Sequence, residues 1–426
     1  MVLPCPEGCR SVIGVNAFRS LRSLPYRVWA VGALISNTGT WVQRTAQDWL
    51  VLAELTPHNA QAVGIVMSLQ FGPQLLLLPW TGFAADHFDR RRLMMLTQAA
   101  LGLLALALGV LTLTGVVRLW MVDGFALLSG CAAAFDTPAR QTFVAELVED
   151  RDLANAVALN STSFNSARMV GPALAGLMIA GIGTGWAFVV NGASFAAVLV
   201  SLVLLGRMPL RTEARAARTR GSLIEGFRYV AKRPDLLAML GMLFLVATFG
   251  LNLPLFISTM AVTVFHQDAA RYGLLSSALA LGTIVGALGA AGRERPLFRH
   301  LVGGSALFGV GLAVAAIAPS PLWFALTLVV VGVAALTVTN TSNTLVQLST
   351  EPTMRGRIMA IRLAIALGCT PLGAPLVGWV ADAFGPRWAL GVGAASGFAA
   401  ALLGLAYLRR ARPASAVTPG GPPIGA

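Results

Sequence analysis

The sequence predicts an all-α polytopic membrane protein, with twelve transmembrane helices in two pseudo-symmetric six-helix bundles. Three observations predict it. The 426 residues are 56% hydrophobic and only 12% charged, against about 25% charged in an average soluble domain. Apolar stretches of about 20 residues, the length that spans a bilayer as a helix, occur on both sides of a polar stretch at 207–235. One pattern also occurs twice. Gly171, Leu174, Gly176, Gly183, Trp186 and Ala187 match Gly373, Leu376, Gly378, Gly385, Trp388 and Ala389 without a gap, at an offset of 202 residues. Both copies fall in the fifth apolar stretch of their half, so the chain reads as a duplication.

Taken in order, residues 1–27 are expected to form a cytoplasmic tail. Arg10, Arg19 and Arg22 lie there without an apolar h-region, so no cleavable signal peptide is expected. The first bundle, 28–206, holds spans near 28–51, 62–84, 93–114, 119–138, 156–181 and 185–206. Residues 207–235 form a basic cytoplasmic linker. Within it, Leu223, Phe227 and Val230 recur at helical spacing opposite Arg228 and Lys232, which predicts a short amphipathic helix from Ser222 to Lys232 on the membrane surface. The second bundle, 236–408, holds spans near 236–264, 272–291, 301–318, 322–346, 359–381 and 388–408. The tail 409–426 is rich in Pro, Gly, Ser and Ala and is expected to be disordered.

The net charge of +13 invites a nucleic-acid reading, but the placement of the charges excludes it. With the N-terminus inside, the segments between spans hold 26 basic residues on the inner side and three (Arg118, Arg271, Arg387) on the outer side. That is the positive-inside pattern of a plasma-membrane protein with both termini cytoplasmic. The four cysteines (Cys5, Cys9, Cys131, Cys369) form neither a metal nor a disulfide framework. His58, His87, His266 and His300 are scattered through loops, with none of the clustering that an enzyme site needs. The only lysine is Lys232, so there is no G-x-x-x-x-G-K-S/T loop for ATP. The chain is expected to have no cofactor and no metal.

Two arginines remain inside the membrane. Arg168 lies about 13 residues into an apolar run, at ~1.5 Å per residue roughly 20 Å deep, where a guanidinium needs a protein partner or a watered cavity. Ser161 and Asn165 share its stripe. In the first span Asn37, Trp41, Arg44 and Asp48 share one face, flanked by Gln47. Arg44 and Asp48 read either as a structural ion pair or as a proton-coupling pair, and Arg168 either as a cavity residue or as a helix-helix bond. Asp123 enters the fourth span near its outer end. The second half shows no ionisable residue in its spans except Asp382 near an outer end, and Thr370 stands at the position matching Arg168. Coupling is therefore expected in the first half, with the second supplying a neutral wall.

The loop after the second span, GFAADHFDRRRL, resembles the G-x-x-x-D-R/K-x-G-R/K-R/K signature of the major facilitator superfamily. Gly82, Asp86, Arg90 and Arg91 match; His87 replaces one basic residue and Asp89 the second glycine, where a left-handed turn is expected to survive. GPALAG (Gly171, Pro172, Gly176) is similar to the fifth-span signature of that superfamily's antiporters. SNTGTWVQRTAQDWLV and DTPARQTFVAELV look like its enterobactin-exporter-like branch. Position 126 is alanine where many of the proton antiporters carry arginine, so a mechanism through that arginine does not apply. The resemblance implies proton-coupled efflux of a small amphiphilic organic molecule by alternating access, by a monomer in the bilayer. It implies Asn37, Trp41, Arg44, Gln47, Asp48, Asp123, Asn165 and Arg168 in the proton or substrate cavity. Gly82, Asp86, Arg90, Arg91, Gly171, Pro172 and Gly176 would serve in gating. Import, or a sensor derived from a transporter, is the alternative.

Overall fold

The computed structural model describes residues 18–77, 80–81, 84, 88–208, 223–291, 297–351 and 354–411. Gly82 and Asp86 of the signature loop, residues 1–17 of the N-terminal tail, the basic run 209–222 and residues 412–426 lie outside the described residues. Every regular element among those described is helical. Before the linker run α1 (Leu24–Trp49), α2 (Ala60–Leu76), α3 (Arg90–Leu113), α4 (Leu119–Phe143), α5 (Asp150–Ile182) and α6 (Thr184–Leu205). The linker helix is α7 (Leu223–Lys232). After it come α8 (Pro234–Leu245), α9 (Leu253–Thr259), α10 (Ala269–Ala291), α11 (Phe298–Ala316), α12 (Pro321–Ser349), α13 (Arg355–Gly368), α14 (Thr370–Phe384) and α15 (Pro386–Ala411).

Helix starts follow local chemistry. The Asn59, Asp89 and Ser320 side chains accept hydrogen bonds from the Ala62, Arg92 and Trp323 amides and so satisfy donors that a helix leaves free. Asp89 is thus an N-cap in extended conformation (φ −63°) rather than the left-handed turn residue expected. Two stops use glycine at a positive φ that other residues rarely adopt. α5 and α14 end on Gly183 (φ +93°) and Gly385 (φ +99°), equivalent positions of the repeat.

Among the described residues, nine helical stretches are long and apolar enough to cross a membrane. α1 and α5 fall outside that set and carry the interior charges Arg44, Asp48 and Arg168; the described part of α2 has only 17 residues. The outward faces of the helices expose Leu103, Leu177, Leu288 and Leu402. That inverts the soluble pattern and suits a lipid solvent. The protein is a multi-pass membrane protein. Within the first half α1 packs on α5 and α6, and α3 on α4 and α6; within the second α11 packs on α12 and α15, and α10 on α12. The halves meet along α5–α10 and α2–α14.

Those two seams are copies. A Cβ on Gly176 would lie 2.5 Å from the Ala269 carbonyl oxygen, and one on Gly378 2.6 Å from that of Ala60. The Ser277 hydroxyl donates to the Met169 carbonyl (2.9 Å) as Ser68 donates to Pro371 (2.6 Å). Gly273 faces the Pro172 carbonyl as Gly64 faces that of Ala374. Small residues let backbones approach and bond across helices where apolar burial offers little drive. The duplication read from the sequence is therefore expressed as one contact set used twice.

The linker helix forms over 223–232, but it divides its apolar face. Val230 is buried while Phe227 stays exposed. Glu225 pairs with Arg357 of α13 at 2.8 Å, which fixes α7 to the second half.

Candidate functional site

The stripe predicted on α1 is distributed over several neighbours. Asn37 is 8% exposed and accepts from Arg140 of α4 at 2.8 Å. Trp41 packs edge-on against Phe164 of α5 (5.8 Å), directly over Gly171, whose missing side chain admits it. Gln47 is buried, and its Nε2 finds no hydrogen-bond partner. Asp48, 9% exposed, faces across the halves to the Tyr272 hydroxyl of α10 at 3.5 Å, the outer limit of a hydrogen bond. Trp49 stacks on that same Tyr272 ring at 6.0 Å. A six-residue π-helical segment, Leu50–Leu55, follows immediately and widens the turn there.

Arg44 and Arg168 come together on Trp41. Their guanidinium carbons lie 4.9 and 5.5 Å from the Trp41 ring centre, and Arg44 is also 5.2 Å from Phe71 of α2. Among the described residues neither guanidinium has a carboxylate within 4.0 Å, and Arg44 Nε has no hydrogen-bond partner. A charged side chain at the bilayer centre costs at least about 2.5–3.5 kcal/mol. A desolvated cation–π contact returns about 2 kcal/mol. Stacking alone does not offset the two like charges; the Asp48 carboxylate also attracts Arg44, whereas burial is the one influence resolved on Arg168. Ser161 and Asn165 on α5 and Asn340 on α12 are exposed along their helices.

Asp123 is not brought to this centre. It lines a small pocket with Asn59, Gln61, Ala62, Ile65 and Leu119, at the end of the molecule opposite the linker. At that same end the Asp382 carboxylate of α14 accepts from the Ala60 and Gln61 amides (2.7 and 2.8 Å), capping α2 across the seam. Gly176 and Pro172 lie in the matching α5–α10 seam. Arg90 of the signature loop pairs with Glu146 at 2.8 Å, tying α3 to the segment after α4, and Arg91 lies against Gly206 at the end of α6.

Sequence reasoning missed two charges. Asp136 of α4 accepts from Thr97 (2.9 Å) and Gln98 (2.8 Å) of α3 and pairs with Arg140 at 3.2 Å. The i,i+4 spacing of Asp136 and Arg140 within DTPARQ was the available signal. Arg362 was assigned to an inner loop, but it is buried in α13 and donates to the Thr339 carbonyl at 2.7 Å. The second half is therefore not free of charge inside the membrane. Counting Arg362 as a loop residue ignored that an arginine eight positions inside a helix can be held by a neighbour's carbonyl.

Residues 15–419 match the family described as transmembrane secretion effector. The multidrug efflux pump Tap of Mycolicibacterium fortuitum is 30% identical over 371 residues, 83% of this chain and 88% of that one. The staphyloferrin A transporter of Staphylococcus aureus is 26% identical over 82% of this chain and 87% of its own. The enterobactin exporter EntS of Salmonella typhi is 26% identical over 84% and 86%. Among solved structures, a bacterial homologue of the human lysosomal transporter Spinster, inward-facing and occupied, has a TM-score of 0.70 at 16% identity. That match covers 91% of this chain and 98% of the other. The inward-open xylose transporter XylE from E. coli has a TM-score of 0.68 at 13% identity, over 90% and 95%. At those identities the likeness is one of fold. The chain belongs to the transmembrane secretion effector family, in the enterobactin-exporter-like branch of the major facilitator superfamily, whose members are transporters and not enzymes.

Proposed function

We propose that the protein is a secondary active transporter that expels a small amphiphilic organic molecule from the cell by alternating access, in exchange for protons. One observation carries the reading. Asp48 of the first half meets Tyr272 of the second at the buried closure between them, one helical turn from the arginine-lined centre on Trp41. A carboxylate there changes the bond between the halves when it takes a proton, which is what coupling requires.

In this reading α1 to α6 and α8 to α15 supply twelve spans in two bundles, 28–206 and 236–408, with both ends in the cytoplasm and the protein acting as a monomer in the plasma membrane. The cavity that wets Asn165 then opens inward, and the seam latched by Asp382 closes the outer side. Arg44 and Arg168 face substrate, Asp48 carries the proton, and Asp123 stands at the outer mouth. Arg90 and Arg91, with Gly82 and Asp86 of the same loop, hold the inner gate in the opposite state. The relatives that export drugs and siderophores favour efflux over import.

Inside-out vesicles with an acidified lumen test it directly, using a panel of drugs and siderophores. Accumulation that an uncoupler abolishes is expected for at least one compound. Proton-driven accumulation in right-side-out vesicles alone would reverse the direction, and flux indifferent to the proton gradient would remove the coupling.

A further inference from the structure

We infer that the centre on Trp41 binds an organic anion. Its carboxylate or equivalent oxyanion would sit between the Arg44 and Arg168 guanidiniums, and its apolar body against Trp41, Phe71 and Phe164. The inference rests on the transporter reading and names the class of molecule which that site takes.

Distance is the first ground. Both guanidinium carbons lie within 5.5 Å of one indole ring centre, which bounds their separation to about 10 Å. Arg168 is near enough to act electrostatically on Arg44, and two planar donors suit a carboxylate's paired oxygens. The second ground is that the two guanidiniums have no direct ion pair among the described residues, and the one carboxylate that acts there, Asp48, attracts Arg44 alone. Asp48 is one turn from Arg44 yet directs its Oδ2 toward Tyr272. Asp136 is engaged by Arg140, Thr97 and Gln98. Asp382 is engaged by two backbone amides, and Asp123 lines the pocket at the far end. Arg362, the added charge of the second half, has the same sign and bonds a carbonyl. The described interior is thus left with surplus positive charge concentrated on Trp41. Low-dielectric walls focus such a charge, attracting anions and repelling cations.

The third ground is that the charge is no part of the repeated frame. At the matching contact within the second half, Gly373 meets Thr248 where Gly171 meets Trp41 in the first. Carried along the same registers, the partners of Arg168 and Arg44 are Thr370 and Leu251. The contacts that hold the helices together recur without the arginines, so packing does not require them. The ring faces complete the site. Trp41 and Phe164 meet edge-on at 5.8 Å and the Phe71 ring lies 5.2 Å from the Arg44 guanidinium, so aromatic surface stands beside the charge.

Three probes that share a ring and differ in charge test the inference: 1-naphthoate, methyl 1-naphthoate and 1-naphthylmethyl-trimethylammonium. Each is dialysed to equilibrium against the full chain in phosphatidylcholine nanodiscs, with empty nanodiscs subtracted. The carboxylate is expected to bind about tenfold or more tightly than the ester or the cation, as a charge-assisted pair of bonds warrants. Arg44→Gln and Arg168→Gln should each remove that preference while leaving ester affinity within about twofold, which also reports an intact site. Arg168→Lys should keep the order of the three probes. The inference is overturned if the wild-type protein shows no saturable binding of the carboxylate, or if the ester or cation matches it. It is equally overturned if the glutamine variants keep the preference. Vesicle flux separates the two readings. Anion preference without proton-driven flux sinks the transport mechanism alone, whereas flux without anion preference sinks this inference alone.

Discussion

Asp48 has an arginine one helical turn away that attracts it without a direct bond, and its hydrogen-bond partner is a tyrosine on the other half of the molecule. That placement makes the residue a link between halves as well as a neighbour of Arg44, and it sets the expected behaviour of three variants. Arg168→Ala should abolish substrate movement if, as proposed, its charge faces substrate, because the repeated packing contacts do not require it. Asp48→Asn should leave residual flux that no longer varies across a pH series, since the group that takes up the proton is gone. Tyr272→Phe keeps the ring that stacks on Trp49 but loses the hydroxyl through which Asp48 bonds the other half, so flux should fall ~2- to 10-fold and its pH response should weaken. Vesicle flux measured across the pH series checks all three. A pH response that survives Asp48→Asn would move the coupling role elsewhere.

At the scale of helices, the two seams between halves share their glycines and serines but differ at one end. Asp382 caps α2 with two charge-assisted bonds, while its repeat counterpart, Ala180, has no such group, and α10 is capped by its own Asp268. The α2–α14 seam is therefore latched and the α5–α10 seam is not. Asp382→Asn keeps the shape but removes the charge that suits a helix N-terminus, a loss of about 0.5–2 kcal/mol. The balance between states should shift ~2- to 30-fold away from closure at that end. Spin labels at Gly183 and Pro319, one on each half, should report a longer or broader distance distribution in the variant than in the parent. An unchanged distribution would show that the glycine packing closes the seam unaided. These seams were half legible in the sequence. The glycine pattern showed through because close approach forbids a side chain at Gly176 and Gly378. Asp382 was visible as a charge near a span end, but its partners are backbone amides more than 300 residues away, and no local periodicity records them. Trp41 bringing Arg44 and Arg168 together was hidden for the same reason, whereas the i,i+4 pairing of Asp136 with Arg140 was available and unused.

For the whole molecule, the direction in which the cavity opens depends on which end lies in the cytoplasm. The structure separates the two ends clearly. One carries the linker helix α7, fixed to α13 by Glu225 and Arg357, together with the Arg90–Glu146 and Arg19–Asp152 pairs. The other carries the latched seam and the turns at Gly183 and Gly385. The arginines crowd the linker end, and translocating so many cations against the membrane potential is disfavoured, which is the ground for proposing that this end lies inside. Single cysteines in a background lacking the four native ones test this. Positions 183 and 319 should react with an impermeant maleimide in intact cells, and Lys232→Cys on the exposed face of α7 should react only after the cells are opened. Labelling of position 232 in intact cells would invert the molecule. The Asp382 latch would then become the inner gate, and the proposed efflux would have to begin from the wrong side.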